Sequence, residues 1–364
     1  MSRKSILWIA VFCSLTIALV GLSGCRSKEP VIVTPPAPEA NIPDAPEIPL
    51  VWPLTGLDAD STEEVLRRTL SVKIDNHPQS GSKVGINSAD VVFETLAEGG
   101  ITRFNAIYQS EVPDIVMPVR SARESDLVIV PQFGDALFFY SGANASVRGN
   151  IRSSSIANME HGIIGNDLYR RSSDRRAPHN LMVELGKAYD VARDRGFDIA
   201  TEEPIKGFGF QNEHNEDATA PTGGRGVTRV SVPFSPLANT AWTWDADSEL
   251  WTRTQGGNAQ YSDNDEQISA NNVIVMWAQH SSAPHGTYSI DLAGSGDVSL
   301  FMDGQRFDGT WEGSADAPPV FKDAAGNEIF LTPGRIWISV MKPGDTIEST
   351  YDGTTNGDSN GDAE

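Results

Sequence analysis

Short apolar runs recur along most of the chain, and their period changes along its length. TLSVKID (69–75), ADVVFETL (89–96) and FNAIYQS (104–110) combine β-branched and aromatic residues with polar alternation, which predicts strands; ALFFYSG (136–142) reads as a buried one. Helical spacing intervenes. Ser61 and Glu64 form a capping box before a short helix around Val65 to Arg68. Ser121 and Glu124 repeat that box ahead of a helix running toward Val130. Asn180 caps a third predicted helix, with Leu181, Leu185, Ala188 and Ala192 on one face and Gly196 ending it. Beyond residue 225 the pattern is nearly all strand: TRVSVPF, AWTWD, LWTRT, NVIVMWA, VSLFMD, VFKD, EIFLT and RIWISVM lie between Gly, Asp and Asn turns. The predicted class is α+β: a mixed α/β domain over 51–212, then a mostly antiparallel β domain over 225–345, as a sandwich or partly open barrel. The polar, Gly-rich EHNEDATAPTGGRG (213–226) marks the boundary.

The ends of the chain carry other signals. Arg3 and Lys4 precede a mainly apolar run from Ile6 to Val20, too short to span a bilayer and flanked as an export signal. The following LSGC, Leu22 to Cys25, resembles a bacterial lipobox, implying removal of 1–24 and diacylglyceryl attachment, with palmitate-type acylation, at Cys25. More than one acyl chain gives stable attachment, so the expected location is the cell membrane, facing outside the cytoplasm. Seven prolines in 26–50 make a tether that cannot bury a core. Residues 346–364 read as an acidic disordered tail; Asp358, Asn360 and Asp362 open like a calcium loop, but Ala363 stands where that loop needs glycine.

Charge sharpens the division. Residues 51–200 hold 16 Lys and Arg against 20 Asp and Glu, whereas 201–364 hold 8 against 25. The whole chain has a net charge of -21, which argues against a nucleic-acid partner. Cys13 lies in the export signal and Cys25 in the lipobox, so the mature chain has no thiol for catalysis or disulfide formation. GxSxG, P-loop, HExxH and GxGxxG-βαβ motifs are absent, so the sequence announces no known enzyme and calls for no cofactor or metal.

Candidate chemistry gathers in the first domain. In VMPVRSARESD (116–126), Arg120 and Arg123 flank Ser121 at the predicted helix start, an arrangement suited to a phosphate or carboxylate. The competing reading is that neighbouring Glu124 and Asp126 neutralise them. Arg103 follows the Gly99–Gly100 turn, and His179 and Asn180 in APHN could orient the same anion. Glu94 with Glu98, or Asp75 with His77, supply acid/base candidates for a hydrolase. His77, His179 and Glu98 suggest a weaker zinc option, and Ser121 or Ser141 with His179 and Asp75 a triad on composition alone. YRRSSDRR (169–176) reads as an exposed loop able to close over an anion. Trp242, Trp244, Trp251, Trp277, Trp311 and Trp337 fit a strand core better than a sugar platform.

PLTG (53–56), KIDNHP (73–78), VVFETLAEGGITRFNAIYQS (91–110), PVRSAR (118–123) and APHNL (177–181), with WDADSELWTR (244–253), NNVIV (271–275) and FKDAAGNEIFLTPGRIWISV (321–340), resemble the YerB-like bacterial lipoproteins. The resemblance spans about residues 53 to 341 and implies a two-domain envelope lipoprotein, without implying a reaction. The expected function is binding of an anionic envelope ligand or partner by the first domain. An envelope hydrolase acting on cell-wall glycan or a phosphoester is the alternative, and a non-catalytic protein adaptor using the Trp-bearing sheet the third.

Overall fold

A computed structural model describes residues 50–353 other than 213, 214, 216, 217 and 264. The export signal, Cys25, the tether and the end of the tail lie outside the described residues. The first half contributes β1 (Leu70–Asp75), β2 (Val91–Leu96), β3 (Thr102–Tyr108), β4 (Leu137–Phe139), β5 (Ala157–Asn158), and the separate hairpin β6 (Tyr169–Arg171) and β7 (Leu181–Val183). The second half contributes β8 (Arg225–Ser235), β9 (Ala238–Asp245), β10 (Leu250–Gln255), β11 (Asn258–Ala259), β12 (Ser269–Ala270) and β13 (Asn272–Trp277). It continues with the hairpin β14 (His280–Ala283) and β15 (Thr287–Ile290), then β16 (Ser295–Met302), β17 (Gln305–Glu312), β18 (Val320–Lys322), β19 (Ile336–Met341) and β20 (Glu348–Tyr351).

Sixteen of these strands form one open sheet whose main path runs β11-β10-β9-β8-β17-β16-β13-β19-β2-β3-β1-β4-β5. The class is α+β as expected, and the sheet does not close into a barrel. The expected division near 213–226 does not interrupt it. The late strand β19 lies between β2 and β13 and pairs in parallel with both. All six residues of β19 are buried, as a parallel strand covered on both faces requires. Hairpin pairing dominates elsewhere in the second half, through β8–β9, β9–β10 and β16–β17. One apolar cluster joins Val72, Phe104 and Tyr108 from the first half to Trp242, Trp251 and Trp337 from the second.

Several local expectations change. Ser61 does cap a short helix, α1 (Thr62–Val65), by accepting a hydrogen bond from Glu64 N. Ser121 caps nothing: residues 120–123 lie outside any helix or strand, and α2 (Asp126–Ile129) starts later. The box fails because Glu124 is drawn away, accepting from Asn144 Nδ2 and Thr287 Oγ1. Asn180 likewise opens no helix. Leu181–Val183 pair with β6, and the chain turns helical only near Leu185, ahead of the helix α3 (Ala188–Asp194). Strand pairing has overridden the helical spacing there. EIFLT, expected as a strand, makes only isolated bridges at Glu328 and Leu331. Glu348–Tyr351, assigned to the tail from sequence, pair with β8.

Candidate functional site

Strands β1, β2 and β4 point the same way, since β1 pairs in parallel with β4 and both β1 and β2 run antiparallel to β3. Their carboxyl ends therefore open on one edge, where open sheets with parallel strands commonly bind ligands. Asp75, Asn76 and His77 leave β1 there, Glu98 follows β2, Ser141 and Gly142 follow β4, and Arg103 enters β3.

Deepest lies a matched layer. Arg253 of β10 donates from Nη2 to both oxygens of Glu94 in β2, at 2.8 and 2.9 Å, with both side chains fully buried. Trp337 Nε1 donates to the same carboxylate at 3.2 Å, and the Arg253 guanidinium lies 5.1 Å from the Trp337 ring and 5.2 Å from Phe104. Asn76 ties the halves further, donating to Thr102 Oγ1 and Gln255 Oε1 and accepting from Gln260 Nε2. Lys73 donates to Asp126 Oδ1 at 2.6 Å, both fully buried, and Asn105 donates to that same oxygen. Burial pushes both the Lys73 ammonium and the Arg253 guanidinium below their usual ranges, against the support of Asp126 and Glu94. Glu94 is thus committed to an internal ion pair and does not stand as a free partner for Glu98.

Toward the surface the matching loosens. Glu98 accepts from Arg103 Nη2 at 2.6 Å and from Arg123 through Nε at 2.8 Å and through Nη2. Burial would raise its carboxyl, but the Arg123 hydrogen bond and the charge of Arg103 outweigh that and hold it down at about 2. Burial, then the charge of Arg123, brings Arg103 down to about 10, and its Nε has no hydrogen-bond partner. Arg120 Nε lies 3.3 Å from Asp75 Oδ2 without its N–H directed at that oxygen, and no described residue accepts from its Nη1 or Nη2. The nearby carboxylates that the competing reading set against the arginines go elsewhere: Asp126 to Lys73, Glu124 to Asn144 and Thr287.

Asp75 is fully buried, and its Oδ2 takes His179 Nδ1 at 2.6 Å. An ionised carboxylate only accepts, so the Nδ1 proton belongs to His179 and its neutral form presents a bare Nε2. His77 is the reverse, because its Nδ1 accepts from Gln79 N at 3.1 Å and its neutral form carries the proton on Nε2. The two rings stack with centroids 5.0 Å apart. The zinc option fits poorly: the Gln79 bond gives His77 the wrong tautomer for a ligand through Nε2, and Glu98 is held by two arginines. Asn180 turns into its own hairpin loop, donating to Ser172 O and accepting from Arg171 Nη1. Ser121 Oγ lies 3.4 Å from Ser141 Oγ.

Two clefts open on this edge. One of about 600 Å³ is lined by Glu98, Ser121, Arg123, Asn144, Arg148 and His285. His285 sits at the tip between β14 and β15 with φ 64°, a left-handed conformation uncommon for a residue with a side chain. Sequence reading missed it, since a hairpin reaching back from the other half leaves no local signal, and it missed Arg148, which lies on a helix of the first half, Ala145–Arg152. A second cleft, about 440 Å³, is lined by His77, Ser82, Lys83, Gln255, Gln260 and Tyr261. Burial pushes the Lys83 ammonium down to about 7, against the pull of Asp75; its Nζ donates to Ser80 Oγ and Gly81 O. Arg175, from the expected YRRSSDRR loop, donates to Ser80 O and Ser82 O and braces that turn.

The family described as "Protein of unknown function (DUF3048)" matches in two parts, its N-terminal domain over residues 54–198 and its C-terminal domain over 230–338. A Bacillus subtilis (strain 168) protein described as "Putative lipoprotein YerB" is 28% identical over 338 residues, covering 92% of this chain and 95% of its own. The crystal structure of YerB protein from Bacillus subtilis superposes with a TM-score of 0.73 at 26% identity, covering 83% of this chain and 99% of that one. With both domains matched in order on one continuous sheet, the chain belongs to this two-domain, YerB-like DUF3048 family.

Proposed function

We propose that the protein is a lipid-anchored lipoprotein of the cell envelope that binds an anionic ligand at the carboxyl ends of β1, β2 and β4. The anchor rests on LSGC with Cys25 and on the similarity to a relative described as a lipoprotein. Among the described residues no helix is long and apolar enough to cross a membrane.

The observation that carries the binding reading is a local reversal of charge. Lys73, Lys83, Arg103, Arg120, Arg123 and Arg253 gather around Asp75, Glu94, Glu98 and Asp126, six bases against four acids in a chain of net charge -21. Such an excess inside low-dielectric walls attracts an anion, and guanidinium forks suit phosphate or carboxylate. Arg123 lines the larger cleft, Arg120 keeps its terminal nitrogens uncommitted, and His285 and Asn144 add side chains that can donate. A thermal-shift screen of the full chain against inorganic phosphate, pyrophosphate, teichoic-acid fragments and muropeptides tests this. A ligand at 100 times its Kd adds about 2.7 kcal/mol. The expected result is a rise in midpoint that Arg120→Ala removes; a flat response to all four in folded protein would overturn it.

A further inference from the structure

Asp75, His179, His77 and Arg120 form a constellation that ligand binding alone leaves unused. We propose that His179 is a general base, held by Asp75, that hydrolyses phosphate esters bound beside Arg120. This extends the anion-binding reading and rests on it for the role of Arg120.

The geometry has three parts. A general base needs a fixed tautomer and a free ring nitrogen, and the 2.6 Å bond from His179 Nδ1 to buried Asp75 supplies the first. His179 makes no hydrogen bond through Nε2 to any described residue, while its side chain remains 14% exposed. Second, the stacked His77 presents the complementary group. Its Nδ1 is occupied by Gln79 N–H, so its neutral ring carries an Nε2–H donor, and His77 lines the smaller cleft. Third, Arg120 shares the Asp75 carboxylate at 3.3 Å and holds two uncommitted nitrogens for the ionised oxygens of a phosphate. Asp75 is a positioning residue here. It is also anchored from the other side, accepting His77 N on Oδ1 at 3.1 Å.

The step balances with water as the sole co-reactant. The water oxygen forms a bond to phosphorus while His179 Nε2 takes its proton. The bond from phosphorus to the ester oxygen breaks, its electron pair stays on that oxygen, and the leaving oxygen takes the proton back from Nε2. Water is consumed, an alcohol and a phosphate are released, and His179 returns to its neutral form; nothing is oxidised or reduced. A substrate with an ionised phosphate oxygen is required, because Arg120 has nothing to hold on a neutral carboxylic ester.

The test uses the full chain with bis(p-nitrophenyl) phosphate, p-nitrophenyl phosphate and p-nitrophenyl acetate. Turnover of at least one phosphate ester is expected, with the acetate slower, and His179→Gln should lower kcat about 100-fold or more while KM stays within about twofold. Glutamine can still donate to Asp75, so the fold should survive. Wild-type protein provides a second readout if it does not: diethyl pyrocarbonate, which acylates a bare imidazole nitrogen, should modify His179. Absence of turnover of both phosphate esters, acetate cleaved as fast as they are, an unchanged kcat in His179→Gln, or a His179 that stays unmodified while His285 reacts would each overturn the proposal. Pyrophosphate affinity separates the two readings. Failure of the anion site abolishes it, whereas failure of His179 as the base alone leaves affinity intact and removes turnover.

Discussion

Glu94 with Arg253 and Glu98 with Arg123 are the same chemical pair in two settings. The first is fully buried, with Arg253 Nη2 bridging both oxygens of Glu94, and is ringed by Trp337 and Phe104. The second lies at the cleft, where Glu98 retains 35% of its side-chain exposure and is shared by two arginines. Taking ions out of water is costly, so a buried pair persists only when every charge is answered. At the edge water screens what is left over, and an excess of positive charge is tolerated. The inner layer therefore joins the two halves of the sheet, and the outer layer is where the proposed anion would complete the match.

Breaking the inner pair should have the largest effect. Arg253→Ala leaves Glu94 buried without its counter-ion and is expected to cost about 3–5 kcal/mol in urea denaturation, enough to unfold many domains. By contrast, Arg120→Ala should change stability by less than about 1 kcal/mol, because a partly exposed ion contact contributes little. The same substitution should weaken pyrophosphate binding at least tenfold, about 1.4 kcal/mol, read by calorimetry. If both variants unfolded alike, the distinction between the layers would be lost.

Titration sharpens the contrast. Lys83 has a folded-state value of about 7 against an ordinary 10.5, so the unfolded chain binds more protons between those limits. Stability should rise with pH across that window, with Lys83 contributing a slope approaching about 1.4 kcal/mol per pH unit. Lys83→Met should flatten the slope when unfolding is followed from pH 7 to 10.5. The smallest effect belongs to Glu98. Its carboxyl is held at about 2 from an ordinary 4.5, so its contribution is present above 4.5 and fades as pH falls through 2. Glu98→Gln should lessen acid sensitivity in that range, modestly, because the group is partly exposed to solvent.

Much of the framework was legible in the sequence, since short alternating runs fix strands by local chemistry. Strands β1 to β4 and the hairpins of the second half follow their apolar patterns. Long-range order was not legible. Nothing near RIWISVM tells that β19 inserts beside β2, some 240 residues earlier, because parallel pairing is set by the sheet and not by adjacent turns. The site divides similarly. Arg103, Arg120, Arg123, Asp75, His77 and His179 meet at one edge, but their partners were misread. The competing reading paired the arginines with Glu124 and Asp126, yet Arg123 finds Glu98, 25 residues away, and Asp75 lies beside Arg120 and holds His179, 104 residues from it. Asn180 illustrates the opposite failure: a good capping residue followed by helical spacing became a strand because β6 lay ready to pair.

The central claim is that the basic excess at the carboxyl ends of β1, β2 and β4 binds an anion. Isothermal titration of the full chain with pyrophosphate tests it most directly, with Arg120→Ala and Arg123→Ala in parallel at low and moderate salt. Saturable one-site binding is expected, weakened by salt and reduced at least tenfold in each variant. No measurable binding by the folded wild-type chain, or equal affinity in all three proteins, would contradict the account.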